Sequence, residues 1–334
     1  MAGKTLNIHQ LVKDFSRLRV LIIGDVMVDS YMWGRVERIS PEAPVPIVAV
    51  DKKEIRPGGA ANVALNIQSL GATPLLCSVI GNDEAGKQFA KMISALKMDT
   101  SFLVPDNKRG TTVKTRVIGN NHQMLRVDEE EENHISEKSS EALLAKIIAA
   151  LKAKKADVII FEDYDKGVIT PEIIEQTVAA ANRSSIPVVV DPKKKNFLNY
   201  RNVTVMKPNL KELREGMKID IDKENLSDIK KAASQLKHSQ DIDTVMVTLS
   251  EKGIFISNSK VQQIVPARVH NVADVSGAGD TVISITALCT ALGLSSVVTA
   301  QLANLAGGQV IEKIGVVPVN LKQLVETAEK EKIF

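Results

Sequence analysis

The stretch "RVLIIGD", Arg19–Asp25, is rich in branched aliphatic residues and almost wholly apolar, and it closes on a glycine and a carboxylate. A strand with one wet face would alternate; an unbroken apolar run fits a strand buried on both faces of a parallel sheet. Similar runs recur at "TPLLCSVIG" (73–81), "ADVIIFED" (156–163), "IPVVVD" (186–191) and "DTVMVTLS" (243–250). Helical patterns lie between them, among them "ANVALNIQSLG" (61–71), closed by Gly71, "EALLAKIIAALKAKKA" (141–156) and "PEIIEQTVAAANRSS" (171–185). The alternation predicts an α/β fold, a doubly wound and mainly parallel sheet with helices on both faces.

Bulk properties narrow the function. A chain of 334 residues, 44% hydrophobic and 25% charged, is long enough for a substantial core. Only 3% of its residues are aromatic, and the net charge is +3. Neither favours a nucleic-acid partner. Cys77 and Cys289 stand in apolar segments without metal-ligand spacing, as small buried side chains do in a reducing compartment. The N-terminus has no apolar signal region and no run of 18 apolar residues occurs, so the expectation is a cytoplasmic protein with no membrane span.

Two segments break the α/β rhythm. "YMWGRVERISPEAPVPIVAVDKKEIR" (Tyr31–Arg56) carries three prolines among short alternating runs, and "TTVKTRVIGNNHQMLRVDEE" (111–130) reads as a hairpin turning at Gly119-Asn120-Asn121. Together they predict a small β-sheet projecting from the main domain as a lid, over about 31–56 and 111–127. "DEEEEN" (128–133) reads as a solvated loop.

"GNDEAGKQ" (81–88) has the spacing of a P-loop, but Gln88 stands where Mg²⁺ needs a hydroxyl, and Asp83 and Glu84 would repel phosphate oxygens. No G-x-G-x-x-G follows the first strand. The informative motif is "DVSGAGDT" (274–281). Gly277, Ala278 and Gly279 would aim backbone N–H groups at an anion at the start of a helix. Asp280 adds a negative charge there, which makes sense if the anion is a transferring phosphoryl and the acid takes the proton of an attacking hydroxyl. An Asp merely capping a helix after a glycine turn is the plain alternative. "RPGGAANVALNIQSLG" (56–71) offers Gly58 and Gly59 for close approach and the bifunctional amide of Asn62 for sugar hydroxyls, or simply a turn into a helix. "GDVMVDS" puts Asp25 and Asp29 at a strand end, where open α/β sheets bind ligands; ordinary loop carboxylates are the other reading.

These residues together resemble the ribokinase-like (PfkB) carbohydrate kinases. The N-terminal signature is met by Gly58-Gly59-Ala60-Ala61-Asn62 with Ala64, Gly71 and Gly81. The C-terminal signature is met by "DVSGAGD", with Ile285 where many members have Ala or Gly. "PNLKE" supplies N-x-x-E at Asn209 and Glu212, and "VTLSEKG" (247–253) resembles the nucleotide loop. The stretches "GDVMVDSYMWGRVERISPEAPVPIV", "DYDKG", "VDPKKKNFLNYR" and "DVSGAGDTVI" resemble more closely the kinase domain of the bacterial heptose-phosphate kinase/adenylyltransferase family, over about residues 12–328. "DPKKKN" departs from that pattern at Lys194 and Asn196, and Lys207 stands where related enzymes often have Thr.

The resemblance implies one kinase domain across 1–334, without a nucleotidyltransferase domain since no H-x-G-H motif occurs. It implies ATP-dependent phosphorylation of the anomeric hydroxyl of D-glycero-β-D-manno-heptose 7-phosphate, on the route to ADP-heptose and lipopolysaccharide core. A PfkB kinase for another sugar phosphate or a nucleoside, or a catalytically silent sugar-phosphate binding protein, are the rivals. Carried over, Asp280 is the base and the amides of Gly277, Ala278 and Gly279 the anion hole. Asp29, Gly58, Gly59 and Asn62 hold the sugar, with Asp163 a further candidate. A 7-phosphate would also want cations, and Arg35, Arg38, Arg116, Lys166, Lys193 and Lys195 stand in the lid or at strand ends, with Lys166 of "DYDKG" the preferred contact and Arg38 or Arg116 next; surface solvation explains any one of them equally well. Asn209, Glu212, Thr248, Ser250, Gly253 and Asn304 serve the nucleotide, with Glu212 acting indirectly on Mg²⁺. A monovalent cation is left open. Partners implied are the sugar phosphate, ATP, a second copy of the chain joined through the lid, and a separate nucleotidyltransferase acting on the product.

Overall fold

The computed structural model describes residues 7–222, 224–268, 271–313 and 315–334. The central stretch forms β1 (Arg19–Gly24), hydrogen-bonded in parallel to β4 (Thr73–Gly81) on one side and β8 (Val158–Glu162) on the other. β5 (Leu103–Asp106) extends the β4 edge. On the opposite side follow β9 (Val188–Asp191), β10 (Val205–Met206), β11 (Thr244–Thr248), β12 (Ile254–Ser257) and β13 (Gln262–Val265). The resulting nine-stranded order is β13-β12-β11-β10-β9-β8-β1-β4-β5, parallel throughout except for β12 and β13.

Why β1 sits centrally follows from its residues. Val20, Leu21, Ile22 and Ile23 are fully buried. Because successive side chains point to opposite faces, they serve two cores. Val20 and Ile22 pack into a layer with α1 (Ile8–Phe15), α2 (Ala60–Ser69), α3 (Glu84–Ala95), α8 (Ala278–Ala291), α9 (Ser296–Ile311) and α10 (Leu321–Lys330). Leu21 and Ile23 face the layer of α4 (Glu137–Lys152), α5 (Pro171–Arg183), α6 (Leu210–Met217) and α7 (Leu226–Gln240). The expected doubly wound sheet is therefore present, with the two antiparallel strands at one edge as an addition.

The lid is a four-stranded sheet of order β3-β2-β6-β7, from β2 (Val26–Ile39), β3 (Pro46–Gly59), β6 (Val113–Gly119) and β7 (His122–Glu129). β2 and β3 are each 14 residues long, and the prolines that broke the pattern in the sequence occupy the turn between them and the first position of β3. β2 pairs with β6 in parallel, whereas β6 and β7 form the expected hairpin, with Asn120 and Asn121 in the left-handed region at φ 52° and 64°. Two successive positive φ values are what a two-residue hairpin turn twisted like its strands requires.

The helix starts divide into two kinds. α1, α3 to α7, α9 and α10 each begin on an Asn, Asp, Ser or Thr whose side chain accepts an early backbone N–H. α2 and α8 begin instead on Gly59 (φ 62°) and Gly277 (φ 78°), with no side-chain cap. No side chain therefore covers the first turn of these two helices, although their first amides are used by the backbone: Ala60 N–H donates to the Asp25 carbonyl at 2.9 Å and Ala278 N–H to the Val275 carbonyl at 3.3 Å. The Walker-like "GNDEAGKQ" belongs to the capped kind: Asp83 accepts Gly86 N–H at 2.7 Å and Thr111 N–H at 2.8 Å.

Gly24, at the end of β1, is where sheet and site meet. A Cβ there would lie 2.2 Å from the Glu162 carbonyl oxygen and 3.0 Å from Ala60 Cβ. Overpacking against backbone costs about 3 kcal/mol. Gly24→Ala should lose about that much in urea denaturation while keeping the denaturant slope; a loss under about 0.5 kcal/mol would show that this junction relaxes freely.

Candidate active site

The carboxyl ends of β8, β9 and β11 and the start of α8 enclose a cavity of about 200 Å³ lined by Glu162, Tyr164, Asp191, Lys193, Lys207, Asn209, Glu212, Thr248, Gly279 and Asp280. Asp280 sits in the first turn of α8 and is only 8% exposed. Asn62 Nδ2, from the first turn of α2, donates to its Oδ2, and the Tyr164 hydroxyl donates to its Oδ1 at 2.9 Å. Burial raises the Asp280 pKa, against the pull of those two hydrogen bonds. Gly277 is fixed by this junction: a Cβ there would meet Asn62 Nδ2 at 3.0 Å, in a backbone conformation side chains disfavour.

Acids outnumber bases around Asp280, with Glu162, Asp191 and Glu212 facing Lys193 and Lys207. Glu162 and Asp191 are directly paired residues of β8 and β9, both almost fully buried. Burial, then Asp191, drives the Glu162 pKa well above the usual carboxylate range. Lys207 Nζ lies 2.8 Å from Asp191 Oδ2. Burial pulls its pKa down, yet Asp191, Glu212 and Glu162 together hold it above the ordinary lysine value. Lys193 pairs with Glu212 and stands 5.6 Å from the centre of the Tyr164 ring. Glu162 Oε2 and Asp191 Oδ1 are buried and have no hydrogen-bond partner among the described residues.

On the lid side, Asp29 is 7% exposed and accepts Arg116 Nη1 at 2.6 Å. The Arg56 and Arg116 guanidiniums both lie 5.2 Å from the Tyr31 ring centre, with Trp33 stacked beyond it. Gly58 is needed for this packing, since a Cβ would come within 2.1 Å of Asp29 Oδ2.

The structure separates the residues named from sequence into three groups. Asp280, Gly279, Asn209, Glu212, Thr248 and Lys193 line the cavity; Gly277, Ala278 and Asn62 adjoin it. Asn209 and Glu212 also cap α6 reciprocally, each side chain accepting the other's backbone N–H at 2.8 Å. Lys193, expected on the sugar phosphate, is on the Asn209–Glu212 side instead. Asp29, Gly58 and Gly59 form the lid base.

Several residues are committed elsewhere. Asp163 accepts Tyr200 Oη at 2.8 Å, Asn196 Nδ2 at 3.1 Å and Asp165 N–H at 2.9 Å, so it braces the inner layer rather than facing the cavity. Asp25 is spent on the amides of Tyr164, Lys166 and Val168. Lys166, the favoured phosphate contact, is bound by Glu130 at 2.8 Å and Glu132 at 3.0 Å, which also shows that "DEEEEN" is more than a solvated loop. Asn304 Nδ2 donates to the Val265 and Pro266 carbonyls. Arg38 lies on the exposed outer part of β2, nine residues beyond Asp29, roughly 30 Å at strand rise. Ser250 and Gly253 shape the turn between β11 and β12, with φ 52° and 94°.

Sequence reasoning missed Tyr164, Glu162, Asp191 and Arg56. The acids of "FED" and "VVVD" end neighbouring parallel strands, which is the signal that could have found Glu162 and Asp191.

Comparison with known proteins supplies the class. Residues 17–323 match the family described as pfkB family carbohydrate kinase. The chain belongs to that family. It is 40% identical over 323 residues to the bifunctional protein HldE of Caulobacter sp. (strain K31), covering 96% of this chain and 65% of the relative. With the bifunctional protein HldE of Geotalea uraniireducens the figures are 38%, 95% and 64%. The chain thus spans just under two-thirds of these relatives' length. By structure it is similar to phosphofructokinase-2 of Escherichia coli in complex with potassium, at TM-score 0.77, 17% identity and 94% and 99% of the two chains. It is also similar to the ribokinase of Arabidopsis thaliana complexed with ribose and ATP, at TM-score 0.70, 17% identity and 92% and 99%. Those two establish the ribokinase-like fold. The protein is a phosphotransferase acting on a sugar hydroxyl.

Asp163 gives a stability test. Burial pushes its pKa up to about 6 from 3.8, so the folded state binds its proton more tightly than the unfolded chain. Its contribution is full below about pH 4 and is lost as pH rises through about 6, roughly 2–3 kcal/mol in all. Asp163→Asn removes this titration. Wild type should therefore lose that much relative to the variant between pH 4 and pH 7 in urea melts; a constant difference across the range would contradict the placement.

Proposed function

We propose that the chain transfers the γ-phosphoryl group of ATP to the anomeric hydroxyl of D-glycero-β-D-manno-heptose 7-phosphate, forming the 1,7-bisphosphate for ADP-heptose and lipopolysaccharide core synthesis. The observation that carries the phosphoryl-transfer reading is a buried carboxylate, Asp280, in the first turn of an uncapped helix and facing a cavity. The acceptor hydroxyl gives its proton to Asp280 as its oxygen bonds phosphorus and the bond from the γ-phosphorus to the bridging oxygen breaks. The amides at Gly277 and Gly279, joined by that of Ala278 once it leaves the Val275 carbonyl it now bonds at 3.3 Å, would face the charge that develops on the phosphoryl oxygens. Positioning by the lid base and by these amides carries much of the rate.

Among the described residues no group of three acids or histidines is arranged to ligate a metal directly. The unpartnered buried oxygens of Asp191 and Glu162, beside Glu212 and Asn209, suit instead a Mg²⁺ held through water and the phosphates. Glu212 with Asn209, acting through water, would hold the ion, and when bound it neutralises phosphate charge. A monovalent cation is a further part of the reading that these residues leave to assay.

The heptose assignment rests on the stretches that resemble the heptose-phosphate kinase/adenylyltransferase family, "RISPEAPVPIV" above all, and on the HldE relatives. A homodimer through the lid is supported by its apolar surface: Ile39, Val50, Ile55, Leu125 and Val127 are all more than 40% exposed. Among the described residues no helix is long and apolar enough to cross a membrane. In this reading the kinase domain works in the cytoplasm and its product is consumed by a nucleotidyltransferase activity.

An acceptor panel tests this reading. Purified protein with Mg·ATP should strongly prefer heptose 7-phosphate over fructose 6-phosphate, ribose and adenosine. Asp280→Asn should bind both substrates and turn over about 10³-fold more slowly. A different preferred acceptor would remove the heptose assignment and leave the class; full activity of the Asn variant would remove Asp280 as the base.

A further inference from the structure

We infer that Tyr164 is a positioning residue for the base, holding the Asp280 carboxylate in place and in its charged form. This rests on the reading of Asp280 as the base. The geometry begins one layer below the cavity. Asp25, fully buried, accepts the backbone N–H groups of Tyr164 at 2.8 Å, Val168 at 3.0 Å and Lys166 at 3.2 Å. One carboxylate thereby fixes the whole turn after β8 that carries the phenol. From that turn the Tyr164 hydroxyl reaches Asp280 Oδ1 at 2.9 Å, while Asn62 Nδ2 holds Oδ2. Each oxygen of the base therefore has one fixed donor from a different element, and each retains a lone pair for the acceptor's proton.

What the phenol does follows from the groups that face Asp280. Asn62 comes from α2, Glu162 from β8, Asp191 from β9 and Lys207 from the segment after β10. Glu162 and Asp191 disfavour a further negative charge, Lys207 favours it, and burial disfavours it most. A buried carboxyl that kept its proton could not accept another. The two donated hydrogen bonds stabilise the carboxylate, and the tyrosine's is independent of the glycine-rich helix starts. Tyr164 itself keeps its proton: burial and then the Asp280 charge drive its pKa well above the ordinary phenol value. It donates throughout the reaction, so the sugar hydroxyl's proton ends on Asp280 alone.

Tyr164→Phe isolates the hydroxyl, because it preserves the ring over which Lys193 sits. Removing a bond to the charged form raises the Asp280 pKa. The acid limb of the kcat profile, measured with whichever acceptor the wild type phosphorylates, should move up by about one pH unit. At neutral pH kcat should fall by up to about tenfold, with both KM values within about threefold. A purely structural tyrosine would lower the melting temperature or raise KM and leave the acid limb in place, and that result overturns the inference. Should the Phe variant fold poorly, 3-fluorotyrosine at position 164 keeps the shape with a stronger donor; its acid limb should move to lower pH, and an unmoved limb overturns the inference equally. Asp280→Asn run alongside separates the two failures. If it retains activity, the base assignment falls; if it is inactive while Tyr164→Phe matches wild type at every pH, only the role of Tyr164 falls.

Discussion

The structure is arranged around one buried negative charge. Asp280 is placed in a buried junction of α2, α8 and the turn after β8, where an unsupported carboxylate would neutralise itself by taking up a proton. Its surroundings answer that constraint. Both helices that open on the junction start on glycines without side-chain caps, which sets the positive ends of their dipoles toward the site and lets Asn62 and Gly277 approach closely. The remaining helices, which have no such task, end their N-termini conventionally on Asn, Asp, Ser or Thr.

The second consequence is a mixed cluster of charge rather than a basic pocket. Glu162 and Asp191 stand at the ends of paired strands; Lys207 pairs with Asp191, and Lys193 pairs with Glu212. A buried pair such as Lys207–Asp191 contributes little net stability, because desolvation offsets the attraction, so its presence beside the α8 start points to a task in catalysis. The lid base repeats the pattern with Asp29 against Arg116 and with two guanidiniums on Tyr31. Cations in this protein are therefore held by acids in advance, and a substrate phosphate must compete for them.

The same principle explains what was and was not legible in the sequence. The sheet was legible because burial on both faces forces an unbroken apolar run, as in β1, β8 and β9. The hairpin was legible because Asn120-Asn121 is one of few dipeptides that accept two positive φ values. β10, two residues long, carries too little of that mark to stand out, the apolar run Ile254-Phe255-Ile256 of β12 does not show that the strand is antiparallel, and the 14-residue β2 was cut short because its polar, half-exposed residues dilute the signal. At the site, glycines and the acid at a helix start are local features, so 277–280 could be read directly. Tyr164, 116 residues before Asp280, and Arg56, seated on the Tyr31 ring, gain meaning only through contact. Lys166, named for its charge, and Asp163 and Asn304, expected on the sugar and near the nucleotide, each meet neighbours that no linear pattern reveals.

The most direct test of the account is a crystal structure of the protein with its sugar phosphate acceptor and a non-hydrolysable ATP analogue. The account predicts the acceptor hydroxyl within hydrogen-bond distance of the Asp280 carboxylate, about 3 Å, with the terminal phosphate over the amides of residues 277–279. A hydroxyl directed at another group, with Asp280 still closed off by Asn62 and Tyr164, would contradict it.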